Sequence, residues 1–233
     1  MYRIYQRSKI ITCSDSTKSD LVRLGLPHSN ISVVRPGIDE TFAKFEPDGK
    51  KFSNPTIVCI CRFVKYKGVQ YAIRSMKLII EKIPDARLII VGNGDDSTIR
   101  KELSGLAYAK AVTVVKRVPH HWDDEKKKLL AGAHVVLMPS VREGYGIVAI
   151  EANACGTPAI GWNVSGLRDS ILDGKTGILV PFGDTNKLAE QVIALIRDHA
   201  LRSRLAASAI IWARTHSWDK AAKEFDNVLE SVS

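Results

Sequence analysis

The chain has 233 residues, of which 45% are hydrophobic and 25% are charged, as in an ordinary globular protein and unlike fibrous or disordered chains. It is long enough to bury a sizeable core without disulfide or metal staples. The formal net charge of +9 and the pI of about 9.4 favour anionic partners, but they do not choose among nucleic acid, phosphorylated sugars and lipid headgroups.

The predicted elements alternate between short apolar runs and helical spacing. Strands are predicted at 10–13 and 31–34 with a helix from Ser14 to Gly25 between them, and 41–55 is predicted as a polar connection. The next strands are predicted at 56–61, 87–91, 111–115, 134–138, 158–161 and 177–180. The predicted helices after them cover 68–83, 97–106, 123–131, 147–154, a short turn or helix at 165–172, and then 187–198, 201–216 and 219–232.

This alternation of strand and helix predicts an α/β fold, a Rossmann-like parallel sheet with helices on both faces. Ligands of such sheets bind in the crevice beyond the carboxyl ends of the strands. Functional residues are therefore expected in the loops that follow each strand.

Several other patterns are assigned structural roles. The basic run 126–128 follows three acidic residues and is predicted as a solvated helix face, and without a recognition helix nucleic-acid binding is not expected. Cys59 and Cys61 are predicted as buried core residues of a cytoplasmic protein, because no second cysteine pair completes a metal site. The start of the chain is too polar for a secretory signal, and no window reaches the ~20 apolar residues of a membrane helix. We expect a cytoplasmic location, with the membrane surface as an open alternative.

Two loops carry weaker signals for ligand binding. Arg62 and Lys67 leave the loop after the strand at 56–61, and Gly68 stands where the next helix begins. Two cations beside a helix N-terminus form an anion site, although exposed loop cations are often merely solvated. The Gly92-Asn93-Gly94 turn lacks the third glycine of a dinucleotide motif. Gly92 is a donor-binding candidate, with a plain tight turn as the alternative.

The segment 139–158 carries the strongest signal. Glu143 lies in a loop, Gly144 and Gly146 let the backbone approach a ligand closely, and a helix begins near Ile147. Glu151 follows one turn later, so two carboxylates bracket a helix N-terminus that favours an anion. This combination fits a nucleoside diphosphate sugar. The structural alternative is a surface Glu143 and a Glu151 that only stabilises the first helical turn.

With these residues the chain resembles the C-terminal, donor-binding domain of GT-B glycosyltransferases, specifically the retaining glycosyltransferase family 4. The two glutamates with seven residues between them resemble that family's EX7E motif, within the segment PSVREGYGIVAIEANACGTPAI. CRFVKYKG is similar to its RLVxxKG loop, and DGKTGILVPFGD to the strand that follows. The resemblance covers almost the whole chain.

The resemblance implies roles for the matching positions. Arg62 and Lys67 would neutralise the donor diphosphate, Glu143 would contact the transferred sugar and Glu151 the ribose. Backbone N–H groups of Gly146, Ile147 and Val148 would contact the donor, and Arg117 and Val118 are weaker candidates for the base. The implied reaction transfers a hexosyl group from a UDP- or GDP-linked sugar with retained configuration. It needs no metal, because Asp95-Asp96 and Asp123-Asp124 lack the DxD spacing of metal-dependent transferases.

The chain departs from the family pattern at a few positions and in length. Cys61, Ser165 and His134 are local variations, whereas Asp169 matches the acidic residue that often follows the Ser165-Gly166 pair in the family. Residues 1–38 resemble only the tail of an acceptor domain, 39–216 form the nucleotide-sugar-binding domain, and 217–233 form a crossover helix. An N-terminal domain or a partner chain is therefore expected to supply the acceptor site, with a lipid-linked acceptor among the alternatives. The apolar face of the last helix (Ala222, Phe225, Val228 and Leu229) is expected to be exposed or paired with another chain.

Other functions remain open at this point. A non-catalytic nucleotide-sugar-binding module acting through a partner chain is the main alternative to an enzyme. A sugar-nucleotide epimerase shares the GT-B architecture, but the EX7E segment argues against it. A dinucleotide oxidoreductase is disfavoured because no GxGxxG follows the first strand of the regular sheet. The oligomeric state does not follow from the sequence.

Overall fold

A computed structural model describes residues 5–119 and 122–231 of the chain. The predicted sheet is confirmed: six strands pair in parallel in the order β5-β4-β3-β6-β7-β8. These strands are β3 (Thr56–Ile60), β4 (Arg87–Val91), β5 (Val112–Val115), β6 (Val135–Met138), β7 (Ala159–Trp162) and β8 (Gly177–Val180). A separate pair, β1 (Ile10–Thr12) and β2 (Ile31–Val33), is also parallel.

The helices lie close to their predicted positions. They are α1 (Asp15–Arg23), α2 (Glu40–Ala43), α3 (Val69–Lys82), α4 (Ser97–Leu103), α5 (Asp123–Gly132), α6 (Ile147–Ala154), α7 (Leu167–Ser170), α8 (Thr185–Arg197), α9 (His199–Ala213) and α10 (Trp218–Glu230). Predicted and observed bounds differ mostly by one to three residues at element ends, where helices fray and assignments differ. The predicted end of the last helix at Val232 lies outside the described residues, as do the outer ends of the segments 1–38 and 217–233.

One helix was not predicted. The stretch 41–55, expected to be a connection, begins with part of α2. The Asp39 side chain accepts a hydrogen bond of 2.8 Å from the Thr41 N–H, and Phe42 in this single turn is 1% exposed. Such a short helix forms because its cap and its buried phenyl ring hold it, whereas its length is too small to produce a periodic pattern.

The core lies on both faces of the sheet, as the predicted class requires. Along β3, Ile57 and Cys59 pack on the face covered by α3 and α8, whereas Val58 and Ile60 pack on the opposite face. This alternation follows from the two-residue period of a strand. Cys59 is fully buried, as predicted, but the prediction is wrong for Cys61, which is only partly buried because it lies beyond the end of β3 in the loop that leaves the sheet.

The strand order defines a switch point. The chain runs outward from β3 through β4 to β5, and then returns to β6 on the other side of β3. The loops that leave the carboxyl ends of β3 and β6 therefore border the switch point, where ligands of such sheets bind. These are the loops that carry Arg62, Lys67 and Glu143.

The two ends of the chain meet beside this domain. Ile38 forms an isolated parallel bridge with Ser217, and the Ile38 N–H donates to the His216 carbonyl at 3.2 Å. Beyond this junction α10 leaves Phe225 and Leu229 43% and 47% exposed and Ala222 exposed, while Val228 is partly buried. Among the described residues no helix has both the length and the apolar character needed to cross a membrane.

Candidate donor-binding site

The loops after β3 and β6 are joined by an ion pair. Lys67 Nζ lies 2.6 Å from Glu143 Oε1, and the two side chains are 15% and 10% exposed. The two loops are also tied through their backbones, because the Val141 N–H donates to the Tyr66 carbonyl at 2.8 Å. The structure therefore brings together two residues 76 positions apart that sequence reasoning had assigned to one site.

Gly68 lets the two loops approach this closely. Its φ of 72° lies in the left-handed region, and a Cβ added there would lie 1.8 Å from the Pro139 carbonyl oxygen. Any other residue would carry both the backbone strain and this overlap. The same Pro139 oxygen accepts a hydrogen bond of 2.9 Å from the Trp162 indole, so the end of β6 is fixed from both sides.

The start of α6 is open, as an anion site requires. Gly146, with a φ of 91°, precedes the helix, and no side chain caps it. The first N–H groups of a helix have no acceptor within the helix, so those of Ile147 and Val148 are available to a ligand. Their partial positive charge lies beside the ion-paired loops.

The loop that carries Glu143 is supported from below by a second glycine. A Cβ on Gly166 would lie 2.4 Å from the Glu143 carbonyl oxygen, and Gly166 has a φ of 80°. Gly144 lies against Cys13, the residue that follows β1, since a Cβ on Gly144 would lie 3.3 Å from the Cys13 sulfur. Gly166 thus allows close backbone packing and Gly144 allows close packing of the Cys13 side chain, whether or not Gly144 also faces a donor.

The N-terminus of α1 is held by a carboxylate on α7. Asp169 Oδ1 accepts from the Asp15 N–H at 2.9 Å, and its carboxylate also accepts from the N–H and hydroxyl of Ser16. The Gly166 N–H donates to the Ser16 hydroxyl at 2.7 Å. Asp169 therefore stabilises the N-terminus of α1, a contact that the sequence did not reveal.

Arg62 reaches the cleft but not Glu143. Its guanidinium donates to the Tyr66 hydroxyl at 2.8 Å, and most of the residue is exposed. Tyr66 also lies under two further cations, with the Lys67 ammonium 5.5 Å and the Arg142 guanidinium 5.2 Å from its ring centroid. The loop therefore presents a cluster of positive charge next to the helix N-terminus.

A cleft of about 290 Å³ extends from this cluster along the carboxyl ends of β3 and β4. Its lining includes most of the remaining candidates, namely Arg62, Gly92, Val118 and Val148, together with Trp122 and Lys126. Gly92 has a structural reason as well, because its Cβ would lie 1.8 Å from the Cys61 carbonyl oxygen.

The backbone at Val118 is held by a residue that sequence reasoning did not select. Asn93 accepts from the Val118 N–H at 3.0 Å and donates to the Val118 carbonyl at 3.1 Å. Both backbone groups are thus engaged, whereas the adjacent Arg117 is exposed in a left-handed conformation with a φ of 57°. The position of Asn93 between two glycines at a strand end was the available signal.

Glu151 does not stand free on the helix. Its Oε1 lies 2.6 Å from Lys126 Nζ, and the two side chains are 12% and 13% exposed. Burial raises the pKa of Glu151, and Lys126 opposes that shift. The prediction of a solvated basic face at 126–128 is wrong for Lys126 and for Lys127, whose side chain is 11% exposed, because α5 packs against α2 and α6.

Tyr145 connects the same loop to the chain junction. Its hydroxyl lies 2.5 Å from His216 Nε2, and both residues are about 4% exposed. Burial raises the pKa of Tyr145 and lowers that of His216, so both stay neutral and share one hydrogen bond. No local pattern indicates this contact, because its two residues lie 71 positions apart.

Comparison with known proteins identifies the family. The family model described as "Glycosyl transferases group 1" matches residues 40–212. The chain is 34% identical over 245 residues to D-inositol 3-phosphate glycosyltransferase from Xylanimonas cellulosilytica, covering 94% of this chain and 58% of that protein. It is 32% identical over 168 residues to phosphatidyl-myo-inositol mannosyltransferase from Mycobacterium leprae, covering 72% of this chain and 44% of the relative.

The fold is shared with solved structures. HepE from Anabaena, solved in complex with UDP-glucose, superposes with a TM-score of 0.84 at 19% identity, covering 98% of this chain and 65% of that one. The chain thus spans about half the length of the curated relatives named above and 65% of the length of HepE. With the sheet order and the matched segment, it belongs to the glycosyl transferases group 1 family as the C-terminal domain of a GT-B glycosyltransferase.

Proposed function

We propose that the chain is the donor-binding half of a retaining glycosyltransferase that transfers a hexosyl group from a UDP- or GDP-linked sugar. The observation that carries the proposal is the Lys67–Glu143 ion pair beside the uncapped N-terminus of α6. Positive charge and free N–H groups suit a diphosphate, and a carboxylate next to them suits sugar hydroxyls. The HepE complex with UDP-glucose supports a nucleotide sugar as the ligand of this fold.

The sequence candidates other than Glu151, which is paired with Lys126, have the following roles in this proposal. The diphosphate lies over the N–H groups of Ile147 and Val148, with Gly146 giving the backbone room. Arg62 and Lys67 face the diphosphate, and they stabilise the charge that develops as the bond from C1 of the sugar to the phosphate oxygen breaks. The acceptor oxygen bonds to C1 on the same face, and its proton passes to the departing phosphate. This chemistry uses cations of the chain and calls for no metal.

Glu143 and the remaining residues set the geometry of the donor. Glu143, held by Lys67, contacts the transferred sugar, and Gly144 allows the approach. The nucleoside lies in the cleft lined by Gly92 and Val118, and the base meets the exposed backbone at Arg117 more readily than Val118, whose groups Asn93 already holds.

In a complete transferase, the boundary between the donor-binding and acceptor-binding domains would lie at the junction of Ile38 and Ser217. Segment 1–38 then belongs with an acceptor-binding half that another stretch of chain or a partner supplies, and 217–233 crosses back to it. The exposure of Phe225 on α10 supports this arrangement.

The first test is a binding screen. Thermal denaturation of the 233-residue chain is measured with UDP, GDP, ADP and the UDP- and GDP-linked hexoses, since a ligand of the folded state raises the apparent stability. We expect the melting temperature to rise with either the uridine or the guanosine series. No shift with any of these nucleotides would contradict the proposal. Binding without transfer, after the acceptor-binding half is supplied, would favour the non-catalytic module.

A further inference from the structure

The cleft presents a lysine at the position where the sequence predicted a carboxylate. Sequence reasoning placed a carboxylate, Glu151, toward the nucleoside. In the structure Glu151 Oε1 is 2.6 Å from Lys126 Nζ, while Glu151 Oε2 is buried without a hydrogen-bond partner among the described residues. Of the two residues in the pair, Lys126 is the one among the residues that line the cleft. The cleft therefore offers an ammonium group at this position.

The surroundings hold the ammonium in one place. Lys126 Nζ lies 5.3 Å from the ring centroid of Phe42 and 5.9 Å from that of Trp122. Phe42 is itself fixed by α2 and the Asp39 cap. Two aromatic rings and one carboxylate offset much of the cost of removing this cation from water. A lysine ammonium has three donors, and Glu151 takes one of them.

The location of the pair suggests what the other donors meet. Glu151 lies four residues into α6 from Ile147, which is about 6 Å along the helix axis. With a diphosphate over the helix N-terminus, the next part of a nucleotide along the cleft is its ribose. A ribose hydroxyl both donates and accepts hydrogen bonds, so an ammonium and a carboxylate side by side match its needs.

We propose that Lys126 binds the ribose hydroxyls of the donor and that Glu151 positions the Lys126 ammonium for this contact. The inference rests on the proposed function, because the register of the nucleotide follows from the diphosphate site. Lys126 donates to a ribose hydroxyl oxygen while Glu151 Oε1 keeps its contact of 2.6 Å with the same ammonium. The pair thereby selects ribonucleotides over deoxyribonucleotides.

The test begins with the unaltered chain. Isothermal titration calorimetry measures its affinity for UDP, 2′-deoxy-UDP and 3′-deoxy-UDP, or for the guanosine series if that series binds. We expect at least one deoxynucleotide to bind about tenfold more weakly, as for loss of a hydrogen bond to a charged group. Equal affinities would overturn the ribose contact, even if every variant failed to fold.

Matched variants then assign the contact to Lys126. Lys126→Met should weaken UDP binding about tenfold and bring the ratio of ribo- to deoxynucleotide affinities toward one. Lys128→Met is the control, because Lys128 is exposed on the same helix and lines a different hollow. In a Glu151→Gln background the effect of Lys126→Met should shrink, since the ammonium is no longer held.

The outcomes separate the two proposals. If the unaltered chain binds none of the nucleotides, the proposed function fails and this inference fails with it. If the chain binds UDP but Lys126→Met leaves the affinity and the ratio unchanged, only the role of Lys126 is overturned. A full Lys126→Met effect in the Glu151→Gln background would overturn the positioning role of Glu151.

Discussion

The two edges of the sheet both bury lysine side chains, but they satisfy them differently. At the amino edge, where strands begin and helices end, Lys51 Nζ donates to the Ala131 carbonyl at 2.8 Å, to the Gly156 carbonyl at 3.2 Å and to the Thr157 hydroxyl at 2.8 Å. Arg202 similarly donates to carbonyls at the end of α8. Helix C-termini favour cations, so these side chains act as caps.

At the carboxyl edge, where strands end and helices begin, the cations have carboxylate partners. Lys67 pairs with Glu143 and Lys126 with Glu151, both at 2.6 Å and both between different elements. Each lysine ammonium has three N–H donors, and its glutamate accepts a hydrogen bond from one of them. The other N–H groups can donate to a ligand.

The difference separates structural cations from ligand-binding ones. Lys51 has three acceptors for three donors, so nothing remains for a ligand. The paired lysines at the carboxyl edge are only partly satisfied and border a cleft next to open helix N–H groups. Removal of a cation should therefore cost stability at the amino edge and should cost ligand binding or turnover at the carboxyl edge.

The largest effect is expected from the Lys67–Glu143 pair. In a transferase that includes the acceptor-binding half, Glu143→Ala and Lys67→Ala should each lower kcat/KM by about 100-fold or more, because each removes an electrostatic contact to the reacting groups. Steady-state transfer assays measure the loss, and circular dichroism checks folding. Unchanged activity in both variants would contradict the assigned mechanism.

An intermediate effect is expected at the amino edge. Lys51→Met should destabilise the chain by about 2 kcal/mol, because it leaves buried carbonyls without a donor. Urea denaturation gives the change in the free energy of unfolding. Nucleotide affinity should stay as in the unaltered chain, whereas Lys67→Met should weaken it. If Lys51→Met weakened nucleotide binding as much as Lys67→Met does, the contrast between the edges would be lost.

The smallest effect at neutral pH is expected from His134 at the amino edge, because its contribution to stability changes only as the pH falls. His134 Nδ1 accepts from the Thr56 N–H at 3.2 Å, and burial with nearby Arg202 and Lys51 lowers the pKa of His134 to about 4. Since this folded-state pKa lies below the unfolded one of about 6.5, the stabilisation is present above pH 6.5 and is lost as the pH falls toward 4.

His134→Asn tests this dependence while keeping an acceptor near the Nδ1 position. The difference in unfolding free energy between pH 7 and pH 4.5 should be smaller in the variant than in the unaltered chain, as measured by urea denaturation at both values. An identical difference in the two proteins would show that His134 does not titrate as described.

The sequence predicted those features that depend on local pattern. The strands and most helices followed from apolar periodicity, and the loop residues Arg62, Lys67 and Glu143 followed from their position after strands. The family resemblance, rather than the spacing alone, joined these loops into one donor site.

The features that were missed depend on contacts between distant elements. The run at 126–128 suggested local charge pairs, and Lys127 indeed pairs with Asp124 at 2.9 Å. Lys126 instead crosses to Glu151 on α6, because the packing of α5 and α6 places a buried carboxylate within its reach. Likewise, nothing local links Asn93 to Val118, since β4 and β5 must pair before their end loops meet.

The most direct test of the central claim is a crystal structure of the 233-residue chain with the nucleoside diphosphate that the binding screen selects. We expect the diphosphate at the carboxyl edge, within hydrogen-bond distance of the N–H groups of Ile147 and Val148, with Lys67 beside it. A nucleotide bound at the amino edge, near Lys51, or with its phosphates directed away from α6 would contradict the claim.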